Sequence, residues 1–208
     1  MPDANTDLRV VRTKGAIREA LIDLIEEKGF EAITVKDITT KAKINRGTFY
    51  AHYQDKYDLM SKSQEEFMIE LANIVKRNLA NVDVDLNSHV PLSIPLTAAT
   101  AIFEYLDQNR KFMKAISGPK GDLSFQTKMK EFMWKTLFVR KEVPQLKQEN
   151  FLVPSEYLVA YIASAHFGVI QQWLNGDGKE SPQEMAFILS TITFKGPLFA
   201  AGLNKQMP

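Results

Sequence analysis

Cysteine is absent from the 208 residues, which excludes disulfides, thiolate metal sites and cysteine nucleophiles and suits a reducing cytoplasm. Histidine is scarce. His52, His89 and His166 lie far apart, and no two share the i, i+4 spacing with which one helix holds a metal. No G-x-S-x-G elbow, Walker loop or dinucleotide fingerprint occurs. Glu65 and Glu66 are adjacent, face different sides of a helix and read as solvated surface. Neither a metal nor a cofactor is expected, and an enzyme is not. No apolar run approaches the roughly 18–20 residues needed to cross a bilayer. Met1 to Asp7 has no apolar stretch of the kind a secretory leader carries. The expectation is a cytoplasmic protein.

Charge is nearly balanced overall, but unevenly placed. Residues 8–62 hold 11 Lys and Arg against 8 Asp and Glu, while residues 63–208 hold 15 of each. Within 41–56, Lys41, Lys43, Arg46 and Lys56 face only Asp55. A local excess of this kind suits phosphate contacts, although solvated surfaces often carry as much.

The apolar pattern has helical spacing throughout, with no convincing alternating strand, no internal repeat and no low-complexity tract. Ile17, Leu21, Leu24 and Ile25 form one stripe of a first helix running from about Val11 to Lys28 and stopped by Gly29. Thr34, with Asp37 three residues on, predicts a capped second helix whose buried face carries Val35, Ile38 and Ala42. Asn45 is suited to cap a third helix, Arg46 to His52, and Asp55 a much longer fourth. Two short helices joined by a turn of three or four residues have the spacing of a helix-turn-helix. On the third helix Phe49 and Tyr53 are four apart and anchor one face. Gly47, Thr48, Tyr50 and Ala51 then lie on the other, with Arg46 in the first turn. Arg46 is suited to a guanine edge or a phosphate, and Tyr50 and His52 to the DNA backbone. A plain three-helix bundle with core aromatics would show much the same pattern.

The residues themselves are more specific. Thr34-Val35-Lys36-Asp37-Ile38, followed by Asn45-Arg46-Gly47-Thr48-Phe49-Tyr50-Ala51-His52-Tyr53-Gln54-Asp55-Lys56, closely resembles the head of the tetracycline-repressor (TetR) family. The likeness runs nearly position for position from Gly29 to Leu59. Two departures are mild: Tyr53 stands where Phe is common, and Ala51 where a second aromatic is frequent. The resemblance implies DNA contacts from Thr34, Asn45, Arg46, Gly47, Thr48, Tyr50, His52 and Lys56. Arg46 and Thr48 would read bases, while Tyr50, His52 and Lys56 would hold phosphates.

Behind the head, the fourth helix continues to about Leu79, and residues 81–88 read as a loop. Further helices are expected at about 96–109 and 110–117, then one bearing Phe125, Met129 and Phe132. Pro154 to Asn175 and Ser181 to Lys195 give the two clearest, the latter with Ser as N-cap, Pro at N1 and Glu at N3. The first of that pair is apolar or small on nearly every face, which one modest core does not explain and a homodimer does. In the TetR family the last two long helices pair with their copies. The interface expected here draws on Tyr157, Ala165, Gly168, Trp173, Phe187 and Thr191. The stretch 168–174, with 181–185, also resembles a C-terminal type common in Firmicutes members.

The resemblance further implies a pocket for a small-molecule effector. Material for one is available in Phe67, Phe103, Phe112, Phe125, Met129, Phe132, Tyr161 and His166, and packed core is the plainer reading of each alone. The expected organisation is all-α: a flexible tail at 1–8, a helix-turn-helix at 9–53 and a helical ligand-binding and dimerisation body at 54–208. The leading expectation is a homodimeric repressor of a near-palindromic double-stranded operator, released by a small molecule. The alternatives are a co-regulator acting through a protein partner, or a helical small-molecule-binding protein with a purely structural head.

Overall fold

The computed structural model describes residues 4–79, 93–122, 124–135, 149, 151–176 and 179–203, and these hold no strand. The order is α1 (Ala4–Lys28), a 3-10 turn (Phe30–Ala32), α2 (Val35–Lys41), α3 (Arg46–Tyr50), α4 (Lys56–Leu79) and α5 (Ser93–Gln108), followed by α6 (Arg110–Ser117), α7 (Phe125–Trp134), α8 (Ser155–Asn175), α9 (Pro182–Lys195) and α10 (Pro197–Ala200). The expected loop at 81–88, the side chain of Met133 and the residues around Phe138 lie outside the described residues.

The chain folds as two compact units. The first takes Met1–Phe67 together with Lys111–Phe125. Its core is the expected stripe of α1, Ile17, Leu21, Leu24 and Ile25, packed with Ile38, Phe49, Tyr53 and Leu59. Each of these side chains contributes about 1.5–3 kcal/mol by leaving water. Into the same unit α6 brings Phe112, Met113 and Ile116, all buried. The sequence placed the head at residues 9–53; this unit also includes the first half of α4 and the α6 segment.

The second unit takes Met68–Arg110 and Gln126–Pro208. Here α5 packs along α9, and α8 and α10 also pack on α9. Phe103, Leu106, Phe167, Trp173, Leu174, Met185 and Leu189 are buried. Trp173 lies edge-on to Phe103 at 5.3 Å, the Arg110 guanidinium sits 4.3 Å from its ring, and its indole N–H donates to the carbonyl of Glu180 at 3.0 Å.

Helix starts follow their capping chemistry. Thr34 and Asp37 close a reciprocal capping box at α2, as do Ser181 and Glu184 at α9, where Pro182 occupies the first turn. Asp55 accepts the N–H of Asp58 at 2.8 Å to open α4. Several expected bounds shift. α1 begins at Ala4 rather than near Val11, because its first turns are polar and carry no apolar stripe to reveal them. α3 stops at Tyr50, with Ala51 as its C-cap. α5 begins at Ser93 and takes Pro95 into its first turn, where a missing N–H costs nothing. Pro154 is the N-cap of α8 rather than its first residue. Gly196 ends α9 at φ 87°, and the chain then forms the unforeseen α10.

Candidate nucleic-acid interface

α2 and α3 are joined through Ala42–Asn45. The turn is held by Ala42 N–H to the Ile38 carbonyl (2.8 Å), Lys43 N–H to Thr40 (3.2 Å) and Ile44 N–H to Thr39 (3.0 Å). Lys43 takes φ 55°, the left-handed conformation that a tight interhelical turn demands, without being glycine. The Asn45 side chain then caps α3, its Oδ1 accepting the Thr48 N–H at 2.7 Å and the Thr48 hydroxyl at 3.1 Å. One free amide of the helix start is therefore already satisfied from within.

Phe49 is fully buried, and Tyr53 packs beside it at 5.7 Å between ring centroids. These two fix how α3 is rolled about its own axis. Arg46, Gly47, Tyr50 and Ala51 are consequently exposed, and Thr48 and His52 half-buried. Tyr50 is 55% exposed and is braced edge-on against Phe49 at 5.5 Å between ring centroids. A side chain at Gly47 would meet Asn45 Oδ1 at 3.3 Å, so glycine keeps this face shallow. Thr34 lies at the exposed start of α2, but its hydroxyl donates to Asp37 at 2.7 Å.

Electrostatics divide the cations that the sequence had grouped together. Lys41 is paired with Glu27 and Asp23 of α1, and the Glu27 hydrogen bond raises its pKa. Lys28 bridges to Asp37 at 2.7 Å. Lys56 turns inward: its side chain is 12% exposed, and its ammonium donates to the carbonyls of Phe30 (3.0 Å) and Glu31 (2.8 Å) and sits 5.0 Å from the rings of Phe30 and Tyr57. That pins the 3-10 turn to α4 and departs from the phosphate-holding geometry expected of Lys56. Lys36, Lys43 and Arg46 are exposed and form no ion pair among the described residues. Lys43 belongs to the basic stretch noted in the sequence, whereas Lys36 was not singled out there as a charge. The signal for them is elimination: once each partnered lysine is assigned, these are the cations left on α2, the turn and α3.

The expected effector residues separate. Phe67, Phe112 and Phe125 are core of the first unit, with Phe67 against Phe112 at 5.5 Å and the Arg18 guanidinium 4.0 Å from the Phe112 ring. Phe103 is core of the second unit; Met129 and Phe132 are half-buried on α7, and Tyr161 stands on the surface. His166 Nε2 lies 3.0 Å from Thr193 Oγ1. That hydroxyl donates to the Leu189 carbonyl at 2.8 Å, so the imidazole is the donor to its oxygen. Burial lowers the pKa of His166. Of the expected interface residues, Tyr157 and Phe187 are 71% and 62% exposed and Gly168 is open, while Ala165 and Thr191 are half-buried. Trp173 differs from the rest, because its stacking between Phe103 and Arg110 places it in the interior of its own unit.

A helix-turn-helix on the end of an all-helical chain defines a class of transcription factors, and comparison with known proteins gives the family. The model described as "Bacterial regulatory proteins, tetR family" matches residues 17–62, and that described as "Transcriptional regulator C-terminal region" matches residues 95–195. The chain belongs to the TetR family of transcriptional regulators, proteins that are not enzymes. It is 47% identical over 55 residues, 26% of its length, to the HTH-type transcriptional regulator YxbF of Bacillus subtilis. It is 24% identical over 166 residues, 78% of its length, to the HTH-type regulator YerO of the same organism. These matches span only 14% of YxbF and 55% of YerO. A TetR-family structure from Syntrophomonas wolfei shares the fold with a TM-score of 0.66 at 18% identity, covering 94% of this chain and 98% of that one.

Proposed function

We propose that the chain is a homodimeric, sequence-specific regulator that binds duplex DNA through α2 and α3 and acts as a repressor released by a small molecule. The observation that carries the DNA reading is the division of α3. Phe49 and Tyr53 lock one side into the core, and Arg46, Gly47 and Tyr50 leave a shallow, uncompensated cationic edge on the other. Such an edge suits a major groove, where small residues permit close approach and Arg46 can pair with a guanine edge. Lys36 and Lys43 supply charge for flanking phosphates, in place of the partnered Lys41 and Lys56.

Dimerisation is supported by the exposed apolar residues of α8 and α9, Tyr157, Tyr161, Phe187 and Phe194. Two heads held about 34–36 Å apart, one helical turn, meet successive major grooves of a near-palindrome. Release requires an effector that binds two head spacings unequally. The half-buried Met129 and Phe132 of α7 make an apolar effector the fitting class. Among the described residues no helix is long and apolar enough to cross a membrane, and the cytoplasm is the proposed location.

The test is selection of bound sequences from random duplex DNA by the purified protein at stated salt. An enriched palindrome that disappears with Arg46→Ala supports the reading. Weak, salt-sensitive binding without enrichment overturns it.

A further inference from the structure

The charges of α1 divide near residue 17. Its second half carries Glu19, Asp23, Glu26 and Glu27, and two of these, Asp23 and Glu27, hold Lys41 of α2. Its first half carries Arg9, Arg12 and Lys14, with no acid from Leu8 to Arg18. No acid stands three or four residues from any of these three, the spacing at which a helix neutralises its own charges. Lys14 and Arg18, four apart, repel one another instead. Arg9, Arg12 and Lys14 form no ion pair among the described residues. Arg9 and Arg12 are exposed, and a side chain added at Gly15 would meet nothing within 4 Å. This is cationic surface held clear of the fold.

The rest of the head places the segment. α2 runs antiparallel to α1, because Asp37 near its start pairs with Lys28 at 2.7 Å, and Lys41 at its end pairs with Glu27 and with Asp23 at 3.7 Å. The turn bearing Lys43, and α3 after it, therefore lie toward the N-terminal half of α1. Tyr53, just past α3, feels the Arg18 charge: burial and then Glu66 raise its pKa, and Arg18 acts against both. From Arg18 the helix rises about 9 Å to Arg12 and about 14 Å to Arg9. The two arginines, three apart on one face, thus extend the uncompensated charge of Lys36, Lys43 and Arg46 past the level of α3. An anionic partner fits such a surface, and the elements beside it are those with which the family binds DNA. Two exposed apolar side chains, Leu8 and Val11, offer a lipid surface too little area to hold.

We propose that the first half of α1 is a second DNA-contacting element, in which Arg9 and Arg12 hold backbone phosphates beside the groove read by α3. The proposal rests on the DNA reading above. It adds a contact that positions the head without reading sequence. Residues 8–14 precede the matched head region at 17–62, so the match itself does not carry this contact.

Hydroxyl-radical footprinting and a salt series on the selected operator test it with three full-length proteins: the parent, Arg9→Gln with Arg12→Gln, and Arg9→Lys with Arg12→Lys. Glutamine and lysine have helix propensities close to that of arginine, and far-UV circular dichroism establishes that each protein is folded. The parent should protect a backbone segment adjoining the one beneath α3, and the glutamine variant should lose that protection alone. Its dissociation constant should rise by on the order of tenfold on operator and unrelated duplex alike, and the slope of log K against log salt should fall by about 0.9 for each phosphate released. The lysine variant keeps both charges and should footprint as the parent does. An unchanged footprint and slope in the glutamine variant overturns the proposal. So does a uniform weakening with the protection pattern intact, which marks net charge alone. A parent that leaves no footprint on any duplex overturns the DNA reading itself, and this element with it.

Discussion

The carbonyl oxygen of Lys120 accepts the backbone N–H of Phe30 at 2.9 Å, joining the α6–α7 connection to the turn that follows α1. The Lys120 ammonium reaches back to the Glu26 carbonyl at 3.0 Å, satisfying one of the acceptors that the end of α1 leaves open. A buried glutamine completes the attachment: Gln64 of α4 donates to Asp122 at 3.0 Å. Residues 111–125 are therefore part of the DNA-binding unit's own fold, although they stand far from it in sequence.

Gly121 makes this connection possible. A Cβ there would stand 2.3 Å from the Ala115 carbonyl oxygen and 2.5 Å from that of Ile116, both backbone atoms of α6 that cannot swing aside. Gly121→Ala should destabilise the protein by about 3 kcal/mol, the upper range for overpacking. Gly15→Ala, with nothing within 4 Å in the middle of α1, should instead stabilise it by about 0.5–1 kcal/mol. Thermal unfolding of both variants checks the contrast, and equal shifts would contradict it.

Arg46 and Tyr50 are exposed and their removal opens no cavity, so their effects should fall on DNA and not on stability. Arg46→Ala and Tyr50→Ala should each weaken binding to the selected operator by about 1–3 kcal/mol while unfolding stays within about 0.5 kcal/mol of the parent. Lys56→Met is the informative opposite. It should lower the melting temperature, because Lys56 holds the 3-10 turn from inside. Fluorescence anisotropy across a salt series, beside a melting curve, separates the two behaviours.

Lys43 occupies the left-handed turn position between α2 and α3, where a side chain costs about 1–2 kcal/mol. Glycine relieves that strain but adds freedom to the unfolded chain, which returns about 0.4–1 kcal/mol. Lys43→Gly should therefore raise unfolding stability by a few tenths to about 1 kcal/mol. Its loss of an exposed cation should at the same time lower affinity for non-cognate duplex DNA. A fall in stability in chemical denaturation would mean that the left-handed residue is better accommodated than its dihedral implies.

Much of this was legible in the residues. The stripe Ile17, Leu21, Leu24 and Ile25 gave α1 its buried face, and Thr34, Asn45 and Ser181 opened the three helices expected of them, because capping chemistry is local. The roll of α3 followed from the spacing of Phe49 and Tyr53. What sequence could not reveal depends on contacts distant along the chain. Lys41 and Lys56 counted as free charge until Glu27 and the carbonyls of Phe30 and Glu31 were seen to hold them. Phe112 and Phe125 were available as pocket material, with packed core the plainer reading of each, and the first unit buries both, Phe112 from α6 and Phe125 at the start of α7. An aromatic residue at helical spacing has the same signature whether it lines a cavity or fills a core.

Asp37 links the stability of the head to pH. Its carboxylate accepts from the Lys28 ammonium at 2.7 Å and from the Thr34 hydroxyl and backbone N–H at 2.7 and 2.8 Å. These partners, Lys28 foremost and then Thr34, hold its pKa well below the usual carboxylate range. The folded value lies under the unfolded one, so the contribution is complete above the ordinary aspartate pKa of about 3.9 and is lost as pH falls toward the folded value. The melting temperature of the parent should exceed that of Asp37→Asn by a constant margin from neutral pH to about 5, and the margin should shrink steadily below about 4. Lys28→Met removes the strongest partner and should move that decline to higher pH. A margin unchanged down to pH 2.5 or so would show that Asp37 caps α2 through geometry alone, with its charge of no consequence to the fold.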